Sequence, residues 1–184
     1  MKKEGISLHF KENKEEYKKK GIFILLILFT AILQNTNCLF PKIYHSHAML
    51  LIPLTVCIAM FESDMGGMMF GLFAGLVWDF YSAHLDGYYA VFLCVTGYIC
   101  SYLLARYMRN NVLTALVFVI IFSFVIASLY FVLFVLTTGV ESVGILYIKI
   151  YLPSVLYTVV LTPLYYWFVR MIALNHKRKV QQAE

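Results

Sequence analysis

Apolar and polar positions follow one another along this chain in long blocks, not in short alternations. Residues 1–20 are polar and lysine-rich, with Lys2, Lys3, Lys11, Lys14, Lys18, Lys19 and Lys20 interleaved with Glu12, Glu15 and Glu16, a pattern that fits a short surface helix. An apolar run then opens abruptly at Gly21 and extends to Leu33, in a first span that reaches about Phe40. Further runs cover 48–61, with Pro53 near its start, and 65–81, rich in glycine and ending around Trp78 and Asp79. Glu62, Ser63 and Asp64 separate these two, and a turn at 82–87 containing Asp86 and Gly87 follows. The runs 88–104, 112–136 and 148–172 complete the pattern; Arg106 and Arg109 close the first, and Pro153 and Pro163 lie in the last. Between the last two runs, 137–144 reads as a loop with Glu141. The tail 173–184 is basic, with His176, Lys177, Arg178 and Lys179.

Continuous apolar runs predict helices, because a transmembrane barrel would show short alternating segments. The expected fold is all-α: a polytopic membrane protein of about six transmembrane helices at 21–40, 48–61, 65–81, 88–104, 112–136 and 148–172. The second and third runs are shorter than the ~20 residues that cross a bilayer unaided. They cross with local thinning or re-enter as a shielded pair, and the number of crossings has the same parity either way. No A-x-A site follows the first run, and Gln34, Asn35, Thr36 and Asn37 come next, so a retained span is expected there and not a cleaved leader.

Composition agrees with this pattern. Of the 184 residues, 61% are hydrophobic and 14% charged, against roughly half and a quarter in soluble domains. A mean hydropathy of +0.77 exceeds what a soluble core of this size absorbs. The formal net charge of +5 does not indicate nucleic acid, because the cations sit at the two ends and in one short loop. Threading six spans places thirteen of the fifteen Lys and Arg on one side and only Lys42 and Lys149 on the other. By the positive-inside rule both termini are expected in the cytoplasm of a cell (plasma) membrane protein.

Candidate chemistry is sparse. Cys38, Cys57, Cys94 and Cys100 have no C-x-x-C spacing, which supports neither a zinc site nor a disulfide framework. His45, His47 and His84 fall on the outer side near Asp86; His-x-His without a third ligand is a weak metal signal, and loop histidines are the expectation. No G-x-S-x-G, H-E-x-x-H or G-x-x-x-x-G-K pattern occurs. No enzyme activity, cofactor or metal is expected. Tyr88, Tyr89, Tyr98, Tyr102, Tyr107, Tyr165, Tyr166 and Trp167 fall near run ends, as an interfacial aromatic belt would.

The third run carries the sharpest pattern. Gly67, Gly71 and Gly75 recur every four residues and Asp79 continues the series. Successive members lie about 40° apart on a helix and form one stripe. A stripe of small residues lets another helix approach closely, so Asp79 is expected to face a packed neighbour. An ionised Asp at the centre of a bilayer costs roughly 2.5–3.5 kcal/mol. Two roles are open for it: a polar contact at an intramembrane pocket or interface, or a cap at the helix end before Gly87.

The segment Gly67-Met68-Met69-Phe70-Gly71-Leu72-Phe73-Ala74-Gly75-Leu76-Val77-Trp78-Asp79, followed by Gly87, resembles the MreD family of bacterial rod shape-determining proteins. Its members share a G-x-x-x-G-x-x-x-G-L-x-x-D … G signature. Leu51-Ile52-Pro53, Leu33-Gln34-Asn35-Thr36 and Leu152-Pro153-Ser154-Val155-Leu156-Tyr157 before Pro163-Leu164 extend the likeness. Members often have Asn after that Tyr, where this chain has Thr158. The resemblance implies a membrane scaffold of cell-wall elongation, supporting rod shape and side-wall peptidoglycan synthesis. The partners it implies are MreC, MreB, and the elongation glycosyltransferase and penicillin-binding protein. It also implies a fold similar to the substrate-binding subunits of energy-coupling-factor transporters, with Gly71, Gly75, Asp79 and Gly87 serving packing or partner contact beside Gly67. The alternative is a small-molecule-binding subunit of a vitamin-uptake transporter of that type, which needs an outward cavity lined by aromatics and groups such as Asp79, His84 or Gln34.

Overall fold

Continuous apolar blocks form helices across the described residues, with glycines inside the third and fourth and prolines inside the second and last. The computed structural model describes residues 2–36, 49–82, 87–130, 132 and 152–181. Six helices and no strand occur among them: α1 (Lys2–Asn35), α2 (Leu51–Ala59), α3 (Asp64–Tyr81), α4 (Tyr88–Arg106), α5 (Val112–Tyr130) and α6 (Leu152–Gln181). Two of them, Tyr88–Arg106 and Val112–Leu129 within α5, are long and apolar enough to cross a membrane.

The charged flanks are not separate elements. α1 continues without interruption from the lysine-rich segment into the apolar run, so the short surface helix expected before Gly21 is the first half of one 34-residue helix. The junction is helical for local reasons: Glu16 and Lys20 form an i,i+4 ion pair at 2.8 Å, and both residues propagate a helix well. α6 likewise runs through Pro163 into the basic tail. Proline removes one backbone donor in mid-helix. The hydroxyls of Thr158 and Thr162 donate to the Ser154 and Thr158 carbonyls in the turns before it.

α2 lies at the centre. It touches each of the other five helices, which close a ring around it in the order α1, α3, α4, α5, α6 and back to α1. Every residue from Leu51 to Ala59 is buried. At nine residues α2 is about 14 Å long, less than half an ordinary hydrocarbon core. A helix apolar on all sides belongs inside a bundle, and α2 meets that rule with protein on every face.

Burying a whole helix strands its end groups unless neighbours supply partners. At the start of α2, Leu51 N–H donates to Gln34 Oε1 of α1 at 3.1 Å. Ile52 N–H donates to the Met49 carbonyl and Leu54 N–H to the Leu50 carbonyl. Pro53 has no N–H to satisfy. At the other end the ring supplies donors to three successive carbonyls. Ser101 Oγ of α4 reaches Ala59 O at 2.7 Å, Asn110 Nδ2 reaches Met60 O at 2.9 Å, and Lys19 Nζ of α1 reaches Phe61 O at 3.3 Å. Tyr166 of α6 donates its hydroxyl to the Asn110 side chain and backbone, both at 3.1 Å. Lys19 also pairs with Glu62 at 2.7 Å, with side chains only 14% and 8% exposed.

Lys19 thus faces a buried carboxylate there. Lys19→Met is expected to destabilise the protein by about 3 kcal/mol, because Glu62 is left buried without its counter-charge. Adding Glu62→Gln should restore most of that loss. Unfolding of the single and double variants in mild detergent checks both.

Candidate functional site

The residues that the sequence pattern singles out converge on one contact, between α3 and α4. Gly67, Gly71 and Gly75 line the α3 side. A methyl group at Gly71 would fall on the Leu93 carbonyl, and one at Gly75 on Tyr89 O and the backbone of Ala90. At Gly67 it would meet Ser101 Oγ and the Gly97 carbonyl. The two backbones touch along three turns, an approach that only absent side chains permit. Gly97 answers from α4: a Cβ there would strike the Gly67 carbonyl. The α4 stripe of Ala90, Cys94, Gly97 and Ser101 was readable as small residues at i+4, i+3 and i+4, but it lies in a run with no charge to draw notice.

Asp79 ends the α3 stripe and closes the first turn of α4. Its Oδ1 accepts from Tyr89 N–H at 3.0 Å and its Oδ2 from Ala90 N–H at 2.8 Å. These are donors of the second and third residues of α4, whose own N-cap, Gly87, has no side chain to offer. Gly87 adopts φ 93°, the left-handed region that glycine alone enters without strain, and this brings the chain back antiparallel to α3. A carboxylate at a helix N-terminus is favoured both by the hydrogen bonds and by the helix dipole. Asp79 thus makes its polar contact across the α3–α4 interface, on the first turn of the helix after Gly87.

Aromatic packing fixes the same corner. Trp78 stacks on Tyr89 with ring centroids 4.0 Å apart and planes 2° from parallel. The Tyr88 hydroxyl donates to the Ile126 carbonyl of α5 at 2.8 Å, tying the corner to the next helix of the ring. The expected aromatic belt therefore divides. Tyr98, Tyr107 and Trp167 are exposed, whereas Tyr89 and Tyr166 are buried and pack against the interior.

At the opposite end, Arg106 donates to Asp64 at 3.0 Å and lies 4.0 Å above the Tyr102 ring. The pair joins the start of α3 to the end of α4, so the hairpin is fastened at both ends. Glu62, Asn110 and Tyr166 matter to this end of the bundle; the sequence pattern shows Glu62 only as a break in hydrophobicity and Tyr166 only as a belt aromatic, and does not mark Asn110.

The corner offers packing and hydrogen bonds, with no nucleophile paired to a base among the described residues. No group of three or more His, Cys, Asp or Glu able to hold a metal occurs among them. His45, His47, His84, Asp86 and Cys38 lie outside the described residues. Cys57, Cys94 and Cys100 are free thiols. Thr158, the position that departs from the MreD pattern, is fully buried and donates within its own helix. Comparison with known proteins gives no match: no family model, no curated protein and no solved structure is similar to this chain.

Asp79→Asn keeps one acceptor oxygen, and Asp79→Leu keeps none. The leucine variant should lose about 2–3 kcal/mol and the asparagine variant about half as much. Gly71→Val should be worse than either, since the Leu93 backbone cannot yield without separating α3 from α4. Thermal unfolding of the three purified variants ranks them.

Proposed function

We propose that this chain is a multi-pass membrane scaffold with both termini in the cytoplasm, acting by binding partner proteins of the bacterial cell-elongation machinery. The observation that carries the reading is the convergence of Gly71, Gly75, Asp79 and Gly87, the positions taken from the MreD-like signature, on one helix–helix corner. A signature that specifies rigid packing suits a protein whose output is a shaped surface. Scaffolding needs that rigidity.

Charge placement supports the orientation. Lys19, Lys20, Arg106, Arg109 and Arg170 gather at the end of the bundle where α2 stops, and Gln34 and Asp79 mark the other. The charged end belongs in the cytoplasm under the positive-inside rule. In this reading the ring helices face lipid, and α2, sheltered from it, completes the core. The partners are MreC, reached from the outer side, and MreB, with the glycosyltransferase and penicillin-binding protein of elongation. Nucleic acid has no place in it.

Depletion in a rod-shaped host should round the cells, and MreC should co-purify in mild detergent. Unchanged shape together with absence of MreC would defeat the scaffold reading. A vitamin-sized molecule retained at stoichiometric amount would point instead to a transporter substrate-binding subunit. Reporter fusions after Trp167 should report a cytoplasmic tail.

A further inference from the structure

The two flanks of the ring differ in apolar height, and this bears on the lipid the protein can accept. On α1, Lys20 and Gln34 bound the apolar stretch, which is about 21 Å along the helix axis. On the adjacent α3, Asp64 and Asp79 bound a stretch of about 22 Å. On the far side, α5 carries no charged residue along its 19 residues, a length of about 28 Å. An ordinary bilayer core is about 30 Å thick, and any tilt lowers these heights further.

Short spans usually escape the mismatch because flanking polar side chains stretch toward water. Lys20 and Asp64 pair at the surface with Glu16 and Arg106, but Gln34, Asp79 and Lys19 are engaged inward. Gln34 holds Leu51 N–H, Asp79 holds the Tyr89 and Ala90 N–H groups, and Lys19 holds Phe61 O and Glu62. Releasing them to follow a thick bilayer would strip the caps from α2 and α4. The cheaper response is for the lipid to deform.

We infer that the α1–α3 flank requires a hydrocarbon layer several ångströms thinner than the α5 flank does, so that the protein gathers short-chain or thinned phospholipid on one side. The inference rests on the membrane reading above. It adds an interaction surface of stated chemistry: acyl chains of reduced length against Ile22, Leu25, Phe29 and Ile32 of α1 and Met69 and Leu76 of α3, all exposed.

Single reporters test it in the full chain. Phe29→Trp on α1 and Phe124→Trp on α5 replace exposed residues, each in a Trp167→Phe background. Trp78 stays, since its burial shields it from lipid. The proteins are reconstituted in dimyristoleoyl, dioleoyl or dierucoyl phosphatidylcholine, and quenching by brominated lipid gives relative lipid affinities. The α1 reporter should favour dimyristoleoyl over dierucoyl lipid roughly threefold, and the α5 reporter should favour dioleoyl lipid. A flat response on α1, an optimum there at dioleoyl or longer, or one shared optimum at both positions overturns the inference. Failure to enter vesicles of any chain length would instead overturn the membrane reading.

Discussion

A helix end inside an apolar interior must find hydrogen-bond partners among side chains, because neither water nor lipid supplies them. That requirement governs this molecule. α2 has the composition to sit at the centre of the ring, yet nine apolar residues placed there expose both ends of their own backbone to apolar surroundings. Gln34, Ser101, Asn110 and Lys19 meet the need from α1, α4 and the segment after α4. Each cap binds a ring helix to the core, so the same hydrogen bonds that make α2 tolerable also set the arrangement of its neighbours.

The α3–α4 corner follows the same rule with different means. Glycines bring the two backbones together, and the N-cap of α4 is itself a glycine with no side chain to offer. Asp79, delivered by the preceding helix, takes over that role. The positive φ of Gly87 makes the return possible. Stripe, carboxylate and glycine are therefore one device. A lattice of this kind holds two helices at fixed distance and angle.

Much of this was legible in the amino-acid order. Block hydrophobicity marks the helices, and the four-residue glycine spacing marks the face of α3 that meets α4. What was not legible depends on contacts between residues far apart in the chain. Uniform apolarity and short length do not reveal that α2 sits within a ring of five helices, which depends on their packing. Glu62 interrupts a run in sequence, whereas in space it is a buried partner of Lys19. Tyr166 resembles an interfacial aromatic by position, but its hydroxyl is spent on Asn110, which in turn caps Met60. The unbroken course of α1 escaped notice because its charged half and apolar half signal different environments, while backbone propensity is indifferent to the change.

The central claim is that α2 is enclosed and capped by its neighbours, and hydrogen–deuterium exchange tests it most directly. In mild detergent the amides of Leu54 to Ala59 should exchange more slowly than any others in the chain, and more slowly than those of the longer α5. Exchange in α2 as fast as in the charged first half of α1 would contradict the account.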